Sequence, residues 1–247
     1  MSSPRASLSP VLFADPVIRA IPVVEDGAPL VDLRCSPVRV VGAAPTLPLG
    51  DRRGRMPLGA VPADVSSQPT PRQSVHTLVR ATVAERLAAA DADLPPGVHL
   101  LVVEGLRPMS SQVAIHDRYR RLISTQQPLL GPDEIDVLAS RFVAPPSMAP
   151  HVSGAAVDLT LLGPEGPLDL GTPIDATPEE SDGACFFDSP RVSASARRHR
   201  DLLADVLGGV GLVNYPTEWW HWSFGDRYWA HVAGHPFAVH GPVDLTE

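Results

Sequence analysis

Two segments of the chain carry side chains suited to metal chemistry: His151-Val-Ser-Gly-Ala-Ala-Val-Asp158 and Glu218-Trp-Trp-His221. Zinc accepts imidazole nitrogen and carboxylate oxygen, and catalytic zinc sites commonly combine three protein ligands with a water. His151, Asp158 and His221 supply two nitrogens and one oxygen of that kind and leave a fourth position open. Such a site lowers the pKa of its water towards about 7 and polarises a carbonyl. It also needs a carboxylate to take the water's proton, and Glu218, three residues before His221, is the candidate. Singly, each residue has a bland explanation, since a lone His or Asp is mostly structural or solvated. The combination carries the weight, together with the small residues Gly154, Ala155 and Ala156 that let backbone crowd a metal.

Those side chains need a scaffold. Two extended pieces are expected at Ile21–Val24 and Leu30–Leu33, after a mobile arm over residues 1–20. Prolines and glycines recur through residues 41–73, which excludes a regular helix and predicts a long loop. The spacing of Val75, Leu78, Val79, Val83, Leu87 and Ala90 predicts an amphipathic helix over Ser74–Ala92. A buried strand follows at His99–Val103, leading into Glu104-Gly-Leu-Arg-Pro108. A second helix is expected from Ser110 or Ser111, capped by those serines, and a third over Pro132–Phe142 with Asp133 and Glu134 favouring its dipole. Val157–Leu161 reads as a strand, Gly163–Pro190 as loop, and Ala194–Leu207 as a helix ending at Gly208-Gly209. Two last strands are expected at Gly211–Asn214 and Trp219–Phe224. Residues three apart on a strand face opposite sides, so Glu218 is expected at a turn or bulge after Pro216, reaching the site from its edge. Helices and short strands without strict alternation predict an α+β fold: one domain over residues 21–247, with a small, mostly antiparallel sheet carrying the metal site and helices flanking it.

Composition narrows the function classes. The 247 residues are 44% hydrophobic and 19% charged, with a formal net charge of −8. That acidity opposes non-specific nucleic-acid binding, which needs clustered Lys and Arg. No apolar run approaches the length of a membrane span. Met1–Leu12 lacks the charged start, apolar stretch and cleavage site of a signal peptide, so a cytoplasmic location is expected. Cys35 and Cys185 are expected as two free, partly buried thiols.

The ordered motifs resemble a known family. His151, Gly154, Ala156 and Asp158, then Leu159-Thr-Leu161, and far downstream Glu218-Trp-Trp-His221, are similar to the D-alanyl-D-alanine dipeptidases, a branch of a zinc peptidase family that also contains D,D-carboxypeptidases. The resemblance extends to Glu104–Pro108, to Leu170-Gly-Thr-Pro-Ile-Asp175 and to Gly225-Asp-Arg-Tyr-Trp-Ala230. It implies one zinc ion per chain held by His151, Asp158 and His221, with Glu218 as general base. It also implies that Arg107 steadies the oxyanion of the tetrahedral intermediate, where a fixed guanidinium meets charge that develops in the transition state. Asp175 matches an acidic residue that receives the substrate's free amino group, which would select dipeptides. The expected activity is hydrolysis of D-alanyl-D-alanine or a closely related D,D-dipeptide by attack of metal-activated water. The alternatives are a D,D-carboxypeptidase or other small-peptide metallopeptidase, and a zinc-binding protein without turnover; Glu218 and Arg107 oppose the last, since neither is needed merely to hold metal. The chain departs from the family in having Ala149 where a substrate-binding serine is usual, Leu106 where tyrosine often precedes the arginine, and the Pro/Gly-rich stretch where relatives have an early aromatic residue.

Overall fold

The computed structural model describes residues 10–42 and 75–244. The Pro/Gly-rich stretch expected as a loop therefore lies almost wholly outside the described residues. The main sheet contains β2 (Arg39–Val40), β4 (His99–Glu104), β5 (Ala156–Gly163), β8 (His221–Ser223) and β7 (Val213–Asn214) in that order, with β6 (Gly166–Pro167) paired to the far end of β5. Every pairing is antiparallel except β2 with β4. A separate ribbon joins β1 (Leu30–Asp32) to β3 (Leu78–Arg80). The helices are α1 (Pro16–Arg19), α2 (Ala81–Ala92), α3 (Met109–Gln126), α4 (Pro132–Ala139), α5 (Ala194–Gly209) and α6 (Arg227–Ala233). The α+β architecture with a mostly antiparallel sheet is as the sequence pattern predicts.

β5 is the axis of the molecule and is buried along its whole length. Its side chains alternate by the pleat. Val157, Leu159 and Leu161 face a core shared with Val83 and Leu87 of α2, Leu203 and Leu207 of α5, and Trp222 of β8. Asp158 faces the other way, towards the site. Trp219, Trp220 and Trp222 all join the same apolar assembly.

Several expectations need correction. The helix expected over Ser74–Ala92 begins only at Ala81, because Val75–Thr77 form a 3-10 turn and Leu78–Arg80 pair with Leu30–Asp32. The apolar positions Val75, Leu78 and Val79 fit a helical period by coincidence; strand pairing, a tertiary term, decides against it. Helix α3 starts at Met109 with Pro108 as its cap, so Ser110 and Ser111 lie inside the first turn. Helix α4 stops at Ala139, short of Phe142. The strand expected over Trp219–Phe224 is confined to His221–Ser223, and Arg227–Ala233 forms a helix that the sequence reading did not anticipate. Of the segment expected as a mobile arm, residues 10–20 are packed: Phe13 and Ile18 are buried, and Phe13 stacks on Tyr215 with ring centroids 3.9 Å apart. Cys35 is exposed and Cys185 buried, and both are free.

Candidate active site

The site is assembled from sheet register. Asp158 of β5 lies opposite His221 of β8, and residues opposite each other on neighbouring strands share a face. On its other side Asp158 lies opposite Glu104 of β4. Regular alternation would put Glu104 on the core face with Val102. A register shift between Val102 and Glu104 turns it to the site face instead. One row thus runs Glu104, Asp158, His221 across three strands.

His151 arrives from a 3-10 turn, Pro150–Ser153, that ends at Gly154 with φ +66°. A side chain at Gly154 would also run into Leu30 Cδ2, 2.7 Å from where its Cβ would sit. This turn is tied down by Arg80, whose Nε donates to Ser153 O at 2.8 Å and whose backbone N–H donates to Gly154 O at 2.8 Å. The His151 ring is oriented by Gly105: Nδ1–H donates to Gly105 O at 2.7 Å, leaving the Nε2 lone pair for the site. Gly105 itself lies so close to the ribbon that an added Cβ would be 2.5 Å from Leu78 O.

His151 Nε2, His221 Nδ1 and Asp158 Oδ1 form a triangle with sides of 3.1, 3.1 and 3.3 Å. Tetrahedral zinc with ligands at about 2.0–2.2 Å sets neighbouring donors about 3.3 Å apart. All three residues are buried, and three acceptor atoms brought this close together away from bulk solvent are unfavourable unless protons or a cation lie between them. The donor set and its spacing therefore fit zinc. A second acidic cluster, Glu25, Asp26 and His240, is different: its carboxylates are exposed and Arg80 NH2, 3.2 Å from Glu25, already supplies positive charge there.

Glu218 occupies the turn after Pro216, as its spacing from His221 requires. Its backbone N–H donates to Tyr215 O, and Asn214 Nδ2 fastens the turn by donating to Glu218 O and His221 O, each at 2.9 Å. The Glu218 Oε2 atom lies 3.8 Å from His221 Nδ1, beside the donor triangle and not part of it. Arg107 follows β4. Its Nε and NH2 donate to the two oxygens of Glu104 at 2.9 and 2.5 Å, and NH1 donates to Gln112 Oε1 at 2.7 Å. Three of the five N–H groups of a guanidinium are accounted for in this way, leaving two for the cavity. Gln112 is held in turn by Ala144 O, which accepts from Nε2 at 2.8 Å. Asp175 sits on the Gly163–Pro190 loop with φ +65°, strained for a residue with a side chain. One open pocket, with about 420 Å³ of empty space that includes its solvent-filled mouth, is lined by His151, Asp158, His221, Glu218, Arg107 and Asp175 together, with Phe13, Phe142 and Trp220 among its apolar walls. All six residues singled out in the sequence thus meet. Glu104, Gln112 and Phe13 were missed: Glu104 needs the bulge to reach the site, and the other two come from a helix and a segment with no motif of their own.

The electrostatics follow from burial and proximity. Burial alone would raise the Asp158 pKa, but the charges and hydrogen bonds of His151 and His221 hold it far below the carboxylate range. His221 is lowered, chiefly by burial, whereas Asp158 outweighs burial and raises His151. Glu218 is raised well above the usual range by burial and then by the charges of Asp158 and Asp175. Asp175 is raised to about 7 by burial, Asp158 and Glu104, against the pull of Arg107 and His151. Buried acids with raised pKa values in one cavity with an arginine have the character of an acid–base site.

A family model described as D-ala-D-ala dipeptidase matches residues 62–238, well over half of the chain. The chain belongs to this peptidase family. Its members are zinc-dependent, and with a donor set that suits the ion the protein is a zinc metallopeptidase. A D-alanyl-D-alanine dipeptidase of Synechocystis sp. is 27% identical over 235 residues, covering 85% of this chain and 87% of the relative. A D-alanyl-D-alanine dipeptidase of Escherichia coli is 38% identical over 74 residues, covering 30% of this chain and 36% of the relative. Among solved structures, VanYB in complex with D-alanine-D-alanine is similar with a TM-score of 0.39 and 17% identity, over 78% of this chain and 94% of that one. No helix among the described residues is long and apolar enough to cross a membrane.

Proposed function

We propose that the protein is a dipeptidase acting on D-alanyl-D-alanine or a closely related D,D-dipeptide, with zinc held by His151, Asp158 and His221. The observation that carries this reading is the donor triangle of 3.1–3.3 Å with Glu218, Arg107 and Asp175 lining the same small cavity. When bound, zinc supplies a Lewis acid that acidifies a water and polarises the substrate carbonyl. Glu218 then takes the proton of the attacking water on a carboxylate oxygen and hands it to the leaving amine. Its raised pKa suits both steps, since a base must also be a competent acid near neutral pH. Arg107, immobilised by Glu104 and Gln112, directs its remaining N–H groups at the oxygen on which charge develops. Asp175 receives the substrate's ammonium group. A carboxylate lining the same cavity as Glu218 suits a substrate whose amino terminus lies one residue from the scissile bond, which supports a dipeptidase over a carboxypeptidase.

The test is release of free alanine by zinc-loaded protein from D-Ala-D-Ala, L-Ala-L-Ala, N-acetyl-D-Ala-D-Ala and a longer peptide ending in D-Ala-D-Ala. Turnover of the first alone is expected. Preference for the blocked or longer substrates would make the protein a carboxypeptidase and remove the role given to Asp175. Zinc binding without any turnover would sink the enzymatic reading of Glu218.

A further inference from the structure

Arg200 of α5 is a buried arginine that the chemistry described above does not use. It is 0% exposed, and the four hydrogen bonds it donates among the described residues all end on backbone carbonyls. Its Nε donates to Leu170 O at 2.8 Å, Nη1 to Phe186 O at 2.6 Å and Phe187 O at 3.1 Å, and Nη2 to Ala184 O at 2.9 Å. These acceptors lie in two stretches of the Gly163–Pro190 loop, one before Asp175 and one after it. A single guanidinium thus gathers both ends of the segment that carries Asp175 to the pocket. The planar fork suits this task, because its donors point outward in fixed directions and hold several acceptors at once. Gly171 stands against it: its φ is +96°, and an added Cβ would be 3.2 Å from Arg200 Nη2 and 2.5 Å from Val192 Cγ1. Between the two held stretches Ile174 and Ala176 pack on the core, while Asp175 takes φ +65° and lines the pocket. A side chain in that conformation persists only where its surroundings over-determine it. Burying a guanidinium is costly unless its donors are met, and the carbonyls that meet them here are those that shape the loop.

We propose that Arg200 is a positioning residue for substrate recognition: by closing the base of the loop it fixes where Asp175 stands, and so sets the affinity for a substrate with a free amino terminus. The inference rests on the reading of Asp175 as the acceptor of the substrate's ammonium group. Arg200 is not among the residues lining the pocket, so its action passes through the loop. The loop also meets the Glu218 turn, where Trp219 N–H donates to Cys185 O at 3.0 Å. That turn has its own fastening in Asn214, and the donors His151, Asp158 and His221 come from other elements. Base and metal site therefore stay in place when the loop shifts.

Arg200→Lys keeps the charge but offers one compact ammonium in place of the fork that spans both stretches. The expected result, in zinc-loaded protein, is a KM for D-Ala-D-Ala raised about 10- to 100-fold, the worth of one hydrogen bond to a charged group, with kcat changed less than about threefold. In an Asp175→Asn background the same substitution should raise KM no further, because both act through one contact. A merely structural arginine would affect the two backgrounds alike. A KM within about twofold of wild type in folded Arg200→Lys, or an equal rise in the Asp175→Asn background, would overturn the proposal. Should Arg200→Lys not fold, Gly171→Ala takes its place, since it leaves the guanidinium in the chain and pushes the loop base away from it. The same rise in KM, again absent from the Asp175→Asn background, is expected; an unchanged KM overturns the proposal. Asp175→Asn alone checks the parent reading. If it leaves KM unchanged, the ammonium contact fails and the role of Arg200 with it; if it raises KM while Arg200→Lys does not, only the role of Arg200 fails.

Discussion

Glu104→Gln tests whether the residue that register carries into the site holds Arg107 in place. Glu104 and Arg107 side chains are each only 11% exposed, so the pair is governed by buried-pair energetics and not by the roughly 0–1 kcal/mol of a surface ion pair. In the wild type both carboxylate oxygens accept from the guanidinium, at 2.9 and 2.5 Å. A glutamine keeps one acceptor, loses the charge, and turns an NH2 group towards an N–H of Arg107. That leaves a buried guanidinium uncompensated and one of its donors unpaired. Removing one partner of a buried pair costs about 3–5 kcal/mol. With a urea m-value of about 2–3 kcal/mol/M, the unfolding midpoint should fall by about 1–2.5 M. Arg107 would then be located by Gln112 alone, and a displacement of about 1 Å in a positioning group costs roughly 10²-fold in rate. Zinc content should remain that of the wild type, because Glu104 is not one of the three clustered donors. The assays are urea denaturation, metal content and kcat/KM on D-Ala-D-Ala. A midpoint within about 0.3 M of wild type together with kcat/KM within twofold would refute the reasoning.

Glu218→Gln should bind zinc normally and lose about 10²–10⁴-fold in kcat, the usual worth of a general base; a parallel loss of zinc would make Glu218 a ligand instead. Asp175 has a folded-state pKa raised from 3.8 to about 7, so the folded chain holds a proton that the unfolded chain has released across that interval. Stability of the zinc-free protein should therefore carry a falling contribution as pH rises from about 4 to 7, and Asp175→Asn should flatten it. Urea titrations at several pH values check this, and an unchanged slope would remove the shift. Gly154→Ala forces a side chain into φ +66° and against Leu30, and should cost about 1–3 kcal/mol in stability with reduced zinc affinity, read by urea unfolding and chelator competition.

The donor residues were legible in the sequence because their chemistry is carried by residue type and spacing. Histidine and aspartate on either side of Gly154-Ala-Ala156, with Glu218 three residues before His221, suggest a metal site and a base before any fold is known, and the structure clusters His151, Asp158 and His221. The axial strand was legible too, since Val157, Leu159 and Leu161 alternate with Asp158 and Thr160 after the small residues Gly154, Ala155 and Ala156. The ribbon at Leu78–Arg80 was not, because its residues also satisfy a helical period and only the partner strand Leu30–Asp32 distinguishes the two. Phe13 was equally hidden: nothing local says that an apolar residue near the start of the chain will stack on Tyr215.

What the sequence by itself determined is which atoms are available to hold zinc and move a proton, because those are properties of side chains. What the tertiary structure decided is which groups stand beside them. The bulge after Val102 exchanges one face of the sheet for the other and so makes Glu104 the partner of Arg107 and the neighbour of Asp158. That outcome depends on register, which arises from pairing across the fold and is invisible in the spacing of residues along the chain.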